Sequence, residues 1–556
     1  PHFVGRQGEL SELQSAFAAA RDQGGVSVFI HGESGVGKSA IVRRFCEIVA
    51  ARDASALVLS GRCYEREAVP YKAVDGVIDA LSRALASLEM EEIAEILPTD
   101  VGLLGLIFPV LRRIEPVSQA TVPPLGSLEP TLLRARLFRA LRELLEGLAE
   151  LRPVIVAIDD LQWADADSLA LLAEIMRPPG APRLLLVVTM RAALRSEAST
   201  IPTPPSAESP VSHAKGPHSA IGAPSSSPGE LSVMPLRVQQ IERLFQGEVR
   251  SMHIEGLPQK DAQALVEALL QASSAAGDSS AAALAQEAGG HPLFIDELVR
   301  GRLMAGGGKA PLRLEDALWA RIAKLEPEAR RALDLIVAAG APLDQDTAAR
   351  AAGVEFNDFS EQVALLRAEN LVRTSGARRA DAVETYHDRV REAVLLHQSQ
   401  DAQKSLHDRL AVALEESGSA DPEALAFHYR RAGKLDKAAE HAARAAEIFE
   451  NALAFDRAAA LYQLSLELRP LEGPLGGAMR AKLADALANA GKGALAAAAY
   501  LEAATEVPAS EALDLKRRAA DQLLRTGHID EAMDAFRSVL SAIDMEMPET
   551  PRSALA

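Results

Sequence analysis

The sequence has few cysteines, a shortage of positive charge and no long apolar run. Cys46 and Cys63 are its two cysteines, which argues against a disulfide framework or a zinc site and suits a reducing cytoplasm. Although 48% of the 556 residues are hydrophobic, no run approaches the roughly 18 residues of a membrane span, and no secretory signal precedes the first domain. We therefore expect a globular cytoplasmic protein without membrane segments.

The charge balance indicates which partners are expected, and the length indicates how many domains are expected. The chain has 77 acidic and 59 basic side chains, a net charge of −18, which argues against a surface built to hold nucleic acid. Because 556 residues exceed what one hydrophobic core supports, three or four domains are expected. The sequence starts at Pro1 instead of methionine, and we expect it to be a piece of a longer polypeptide.

A glycine-rich loop lies between a strand pattern and a helix pattern. Residues 32–39 fit G-x-x-x-x-G-K-[ST], after an apolar run and before a helical one. Such a loop turns its N–H groups toward phosphate oxygens; Lys38 is predicted to reach the β- and γ-phosphates and Ser39 to bind Mg²⁺. A chance glycine-rich turn is the alternative. The predicted nucleotide-binding residues of the loop are Gly32, Glu33, Ser34, Gly35, Val36, Gly37, Lys38 and Ser39.

A second apolar run ends in two carboxylates. The run from Val154 to Ile158 suits a parallel strand that is buried on both faces, and Asp159 and Asp160 follow it. Ligands of open α/β sheets bind beyond the carboxyl ends of the strands. Asp159 is therefore predicted to hold Mg²⁺ and Asp160 to orient the attacking water. The alternative is an ordinary acidic turn after a strand.

Another predicted strand, from Leu184 to Met190, ends at Arg191. Its position at the same edge predicts a catalytic role in sensing the γ-phosphate, although an arginine that only ends a strand fits the spacing equally well. A fourth apolar run, from Ala56 to Ser60, predicts one more strand. The first 196 residues are thus predicted to form a P-loop NTPase domain with a parallel sheet.

The rest of the chain divides by composition. Residues 197–236 are rich in proline and serine without periodicity, which predicts a disordered insertion. We expect a helical lid at 237–310, a winged helix at 311–400 and tetratricopeptide-like repeats at 401–556, whose concave face would bind a protein. A plain helical bundle is the alternative for the last region. The predicted fold class is multidomain α/β plus α, ending in an α-solenoid.

Together these segments resemble the bacterial signal-transduction ATPases with numerous domains, the STAND branch of the P-loop NTPases. Besides the phosphate loop, the motifs that carry the resemblance are Phe3 to Arg6, Ile158 to Asp165, Gly290-His291-Pro292 and Tyr386-His387-Asp388. The resemblance implies that Val4 and Arg6 lie at the nucleotide and that Pro292 lies against the adenine. It also implies that His387 holds the β-phosphate of ADP in a closed state, although tyrosine stands where the family has methionine.

The segment from Gly61 to Lys72 is similar to the ATPase part of bacterial proteins in which a serine/threonine kinase domain precedes this module. The sequence contains neither an H-R-D-type catalytic loop nor D-F-G. A fused or associated kinase is therefore expected only outside these residues.

The predicted function is a switch with an ADP-closed and an ATP-open state. ADP would be held by Lys38, Ser39, Pro292 and His387, and ATP would release the winged helix and permit self-assembly. Slow hydrolysis through Asp159 and Asp160 would reset the switch, while the repeats sense or dock a protein partner. Two alternatives are an ATPase-containing transcription regulator and a nucleotide-stabilised scaffold without turnover.

Overall fold

The structure is a computed structural model that describes residues 3–66, 69–122, 129–191, 238–272, 281–305, 314–418, 421–545 and 547. The segment 197–236, predicted to be disordered, lies outside the described residues. Within the described ranges, none of the helices combines the length and the apolar character of a membrane span.

A parallel five-stranded sheet in the order β2-β3-β4-β1-β5 forms the centre of the first region. Its inner strands are nearly continuous apolar runs because helices cover both faces. The strands are β1 (Val26–Gly32), β2 (Leu57–Arg62), β3 (Val154–Asp159), β4 (Leu184–Arg191) and β5 (Glu248–Ile254). The helices of this region are α1 (Gln7–Gln23), α2 (Lys38–Arg52), α3 (Lys72–Leu85), α4 (Met90–Ile96), α5 (Val101–Ile107), α6 (Glu115–Gln119), α7 (Pro130–Leu151), α8 (Ala166–Ile175) and α9 (Val238–Glu242).

The four strands predicted from the sequence are confirmed, but the fifth is not among them. Strand β5 pairs with β1, although residues 237–310 were predicted to be a helical lid. Being an edge strand, β5 is less buried than the inner strands and its Met252 and Ile254 alternate with polar residues. It therefore lacks the apolar run that identifies a buried strand.

The lid and the winged-helix region follow and share a second hydrophobic core. The lid contains α10 (Gln259–Ala272), α11 (Ala281–Glu287) and α12 (Pro292–Ala305). The winged-helix region contains α13 (Leu314–Ile322), α14 (Pro327–Ala339), β6 (Leu343–Asp344), α15 (Gln345–Ala352), α16 (Phe356–Ala368), β7 (Val372–Thr374), β8 (Ala382–Thr385) and α17 (Asp388–Leu396). Its three strands form an antiparallel sheet in the order β6-β8-β7. The winged-helix assignment and the domain boundaries stay predictions.

The last region consists of helical hairpins with a repeated turn. A residue in the left-handed conformation lies in each of four turns, at Gly433, Leu453, Gly491 and Gly527. The helices are α18 (Gln400–Ser417), α19 (Pro422–Arg431), α20 (Leu435–Asn451), α21 (Phe455–Leu468), α22 (Gly473–Asn489), α23 (Gly493–Ala503), α24 (Ala509–Arg525) and α25 (Ile529–Ser541). The prediction of C-terminal helical repeats is confirmed.

The turn at Leu453 docks the repeats on the first region. The Tyr71 hydroxyl donates to the Leu453 carbonyl at 3.0 Å. Asp167, paired with Arg134 at 2.9 Å, accepts the backbone N–H of Arg457 at 3.0 Å. One hydrophobic core runs from the sheet into α20 and α21. The repeats therefore pack directly on the sheet domain, and Leu453 in the left-handed turn is buried in this core.

Two buried histidines meet where α18 packs on α19. The Nδ1 atoms of His407 and His428 lie 2.9 Å apart. Burial, assisted by Arg431, Arg66 and Arg391, lowers the pKa of His407 to about 3. Burial together with the neighbouring His407 and Arg66 lowers the pKa of His428 well below its ordinary value. Both rings are therefore neutral in the folded chain at pH 7.

We expect the free energy of unfolding to fall as the pH is lowered from 6.5 toward 4. In that window the unfolded chain binds protons at these histidines and the folded chain does not, so acid favours unfolding. Urea unfolding at pH 7 and pH 5 should show that His407→Gln loses roughly 2 kcal/mol less than the unchanged protein. The exposed His528→Gln is the matched control, and identical pH dependence of all three proteins would refute the expectation.

Candidate nucleotide site

The phosphate loop joins β1 to α2. Its shape suits a ligand that offers stronger hydrogen-bond acceptors than the backbone carbonyls do. Gly35 and Gly37 adopt positive φ angles of 88° and 103°, which glycine takes without strain. Lys38 is 7% exposed, and its Nζ donates to the carbonyls of Gly32 at 3.0 Å and Glu33 at 2.8 Å. Phosphate oxygens would be better acceptors for this ammonium group than neutral carbonyls.

Burial lowers the pKa of Lys38 to about 8, an effect that Asp160 and Asp159 oppose and Arg191 and Arg389 assist. The amine is therefore mainly protonated at neutral pH. The charges that act on the Lys38 amine thus come from the end of β3, from the end of β4 and from α17.

Ser39 and Asp159 form the predicted Mg²⁺ pair. The exposed Ser39 hydroxyl lies 2.8 Å from both carboxylate oxygens of Asp159, and the Thr189 hydroxyl also donates to Asp159. These hard oxygen atoms are the donors that Mg²⁺ prefers, and the hydroxyl–carboxylate contact brings them into reach of one ion. The residues present therefore fit this metal.

Asp160 follows at the end of β3 and is held on both oxygens. It has a positive φ of 59°. Arg62, the last residue of β2, donates from Nε at 3.1 Å and lies 3.0 Å from the same oxygen through Nη2, while Gln162 donates to the other oxygen at 2.9 Å. Burial alone would raise the pKa of Asp160, but Arg62, Gln162 and Arg191 together lower it. Asp160 is thus a carboxylate that is bound on both oxygens, with Arg62 on one and Gln162 on the other.

Arg191 ends β4 directly beside Gly32 in the sheet register and points to the winged-helix region. It forms ion pairs with Asp388 and with Glu392, the latter at 3.0 Å. Glu392 also binds Arg389 at 3.1 Å. One carboxylate on α17 therefore bridges an arginine of the sheet edge and an arginine of its own helix.

His387 caps α17 at the same place. Its Nδ1 accepts the backbone N–H of Arg389 at 3.2 Å. Burial and the charges of Arg191, Arg62 and Arg389 lower the pKa of His387 to about 3, against the opposing charge of Asp160. His387 is therefore a neutral ring at the start of α17, whose Asp388 and Glu392 pair with Arg191 at the sheet edge.

The lid and the N-terminal segment close the other side of the loop. Val4 packs against the core of the lid, and Arg6 donates to the carbonyls of Val36 at 3.4 Å and of Glu255. Ahead of Pro292, His291 Nε2 lies 3.0 Å from the Ser34 carbonyl. The structure thus brings the phosphate loop, Asp159, Asp160 and Arg191 to one edge of the sheet, and Val4, Arg6 and Pro292 lie in or next to segments that contact the loop or the lid. The roles of these residues toward a nucleotide stay predictions.

The sequence of the first region matches a known family. Residues 2–188 match the family model described as AAA ATPase domain. This region is of the AAA ATPase type. No curated protein matches the chain.

Several solved structures resemble the chain at low identity. A STAND protein with a tetratricopeptide repeat sensor from Pyrococcus horikoshii is 13% identical, with a TM-score of 0.45, over 98% of this chain and 77% of that one. The Orc1 protein of Aeropyrum pernix in complex with DNA is 15% identical, with a TM-score of 0.30, over 71% and 93%. The RuvB Holliday junction branch migration motor of Thermotoga maritima is 13% identical, with a TM-score of 0.24, over 68% and 92%.

The structure adds site residues that the sequence analysis misses. Arg62 and Gln162 hold Asp160, and Arg389 lies close enough to act on the pKa of Lys38. The rule that finds Arg191 could also have found Arg62, because both arginines end a strand of the same parallel sheet. No comparable signal identifies Arg389, since it reaches the AAA ATPase domain only through tertiary packing.

Proposed function

We propose that this chain is an ATP-driven signal-transduction switch of the STAND type, in which α17 closes the nucleotide site in the ADP state. The observation that carries the proposal is the pairing of Arg191, at the sheet edge, with Asp388 and Glu392 of α17. This contact ties the predicted γ-phosphate sensor to the winged-helix region. Occupation of the γ-phosphate position would therefore compete with α17 for the same arginine.

The residues of the site have distinct tasks in this proposal. The phosphate-loop amides and Lys38 bind the phosphates, and Ser39 and Asp159 hold Mg²⁺, which neutralises phosphate charge when bound. Asp160 accepts a hydrogen bond from the attacking water and orients it. Arg191 would stabilise the charge on the transferred phosphoryl group. Hydrolysis is slow as long as Arg62 and Gln162 occupy the Asp160 carboxylate.

In the closed state, the N-terminal segment, the lid and α17 contact the nucleotide. Val4, Arg6 and Pro292 enclose the base, and the neutral His387, whose Nδ1 accepts the Arg389 N–H, donates a hydrogen bond from Nε2 to the β-phosphate without adding charge. Arg389 of α17, which Glu392 links to Arg191, supplies positive charge at the same place. ADP is thereby held between two domains whose direct contacts here are polar and therefore separable.

The repeats provide the sensor or docking arm for a protein partner. Their contacts through Asp167 and Tyr71 allow a partner bound on the repeats to act on the AAA ATPase domain directly. A fused or associated serine/threonine kinase is an output that this arrangement could regulate. Release of α17 would also expose a surface for nucleotide-dependent self-assembly.

The proposal is tested by weakening the α17 contact. Glu392→Gln removes the charge that bridges Arg191 and Arg389, so we expect ADP to dissociate roughly fivefold to tenfold faster, corresponding to about 1 kcal/mol. Stopped-flow displacement of a fluorescent ADP analogue measures the rate. Glu328→Gln, which breaks an exposed pair with Arg331 on α14, is the matched control. Equal dissociation rates in both variants and the unchanged protein would argue against closure by α17.

A further inference from the structure

The segment 62–66, which we call the coupling segment, begins at the last residue of β2 and contacts three other regions. Its first residue binds Asp160. The Cys63 N–H donates to the Asp159 carbonyl at 2.9 Å, which anchors the segment beside the predicted catalytic residues. The Tyr64 hydroxyl donates to Glu384 on β8 at 3.3 Å. One short segment therefore connects the catalytic edge with the winged-helix region.

The next two residues extend the connection to α17 and to the repeats. Glu65 binds Arg391 of α17 and also Arg66, the latter at 2.9 Å. The guanidinium carbon of Arg66 lies 3.9 Å from the ring centroid of Phe427 on α19. The coupling segment thus contacts both α17 and the repeats.

The Glu65 contacts are shielded and closely packed. The side chains of Glu65, Arg66 and Arg391 are 20%, 14% and 16% exposed, so their attraction is screened less than that of a surface pair. A Cβ atom placed on Gly340, at the end of α14, would lie 2.7 Å from Arg66 and 3.1 Å from Arg391. Docking of α17 and the conformation of the coupling segment are therefore interdependent.

We propose that Tyr64 and Glu65 are positioning residues for Asp160: they hold Arg62 on its carboxylate while α17 is docked, and release it when α17 leaves. The inference rests on the proposed function and names the regulation of the same site. With α17 docked, the Asp160 oxygen that faces two N–H groups of Arg62 has no lone pair left for water. When Glu384 and Arg391 withdraw, the segment loses its contacts with the winged-helix region and the oxygen bound by Arg62 becomes available.

The test is the steady-state ATPase of Glu65→Gln, Arg391→Gln and the double variant. Each single change should raise kcat about fivefold with the KM for ATP within twofold, because the carboxylate is freed and the phosphate loop is untouched. The double variant should match the single variants, because all three break the same contact between Glu65 and Arg391. Arg331→Gln, on the exposed face of α14, is the control and should leave kcat unchanged. Unchanged kcat in both single variants, or a double effect equal to their product, would overturn the inference.

Tyr64→Phe is a milder variant that keeps the test informative if the charge variants do not fold. It removes one hydroxyl and leaves no buried charge unpaired. It should raise kcat about twofold.

Trp163, one of two tryptophans, lines the cavity that Glu65 and Arg391 also line. In a Trp319→Phe background its emission should shift to longer wavelength in Glu65→Gln, as the cavity opens, and stay constant in Arg331→Gln. An unshifted emission with raised kcat would place the effect elsewhere and reject the positioning role.

The outcomes separate this inference from the proposed function. If Lys38→Ala turns ATP over as fast as the unchanged protein, the phosphate loop does not support the activity and the proposed function fails. If turnover depends on Lys38 but is insensitive to Tyr64, Glu65 and Arg391, only the positioning role fails.

Discussion

Replacing Lys38 by alanine is expected to weaken the binding of ADP and ATP at least about a hundredfold. The buried ammonium group now faces the carbonyls of Gly32 and Glu33, and phosphates that replace them gain a charge-assisted interaction of roughly 3 kcal/mol. Isothermal titration calorimetry with ADP and with ATP measures the loss.

The matched control is Arg44→Ala on the same helix. Arg44 is 49% exposed and pairs only with Glu47 within one helical turn among the described contacts, so its loss should leave nucleotide affinity within twofold. A Lys38→Ala protein that binds ADP as tightly as the control would contradict the assignment of the phosphate loop.

The Asp160→Asn variant is expected to retain ATP while its kcat falls by a factor of about 100 to 1,000. A neutral amide is a much weaker hydrogen-bond acceptor than a carboxylate and orients the attacking water poorly, and the loss of such assistance costs about this much. The substitution keeps the shape and the contact with Gln162, so binding of the phosphates at Lys38 and Ser39 should persist. Single-turnover hydrolysis together with equilibrium binding of ATP separates the two effects.

Asp165→Asn is the control for this change. Asp165 caps α8 by accepting the Ser168 N–H at 2.7 Å, a role that asparagine also fills. It should therefore turn ATP over at the normal rate. Normal turnover by Asp160→Asn as well would show that Asp160 is not the residue that orients water.

The inner strands and the phosphate loop were predictable because their signals are local. A continuous apolar run ends at Asp159, and the glycine spacing of residues 32–39 has few other uses. Strand β5 was missed because its polar residues face outward at the sheet edge and the sequence places it after the segment 192–237. Its register beside β1 depends on tertiary pairing, which no local pattern encodes.

The residues of the site also divide into those that local motifs predict and those that only the folded chain identifies. Lys38, Ser39, Asp159 and Asp160 follow from motifs and from the rule that ligands bind beyond the strand ends. The clamp on Asp160 by Arg62 and the bridge of Glu392 between two arginines arise from residues far apart in sequence. Charged partners are interchangeable in sequence patterns, so only the folded chain identifies which carboxylate each arginine binds.

The most direct test of the closed, nucleotide-held switch is to denature the purified protein and identify the released nucleotide by chromatography. The account predicts close to one ADP per chain, retained through purification by the contacts of α17 and the lid. An empty site that binds ATP and ADP only weakly would contradict it, because the ion pairs of Arg191 with Asp388 and Glu392 would then not serve to enclose a nucleotide.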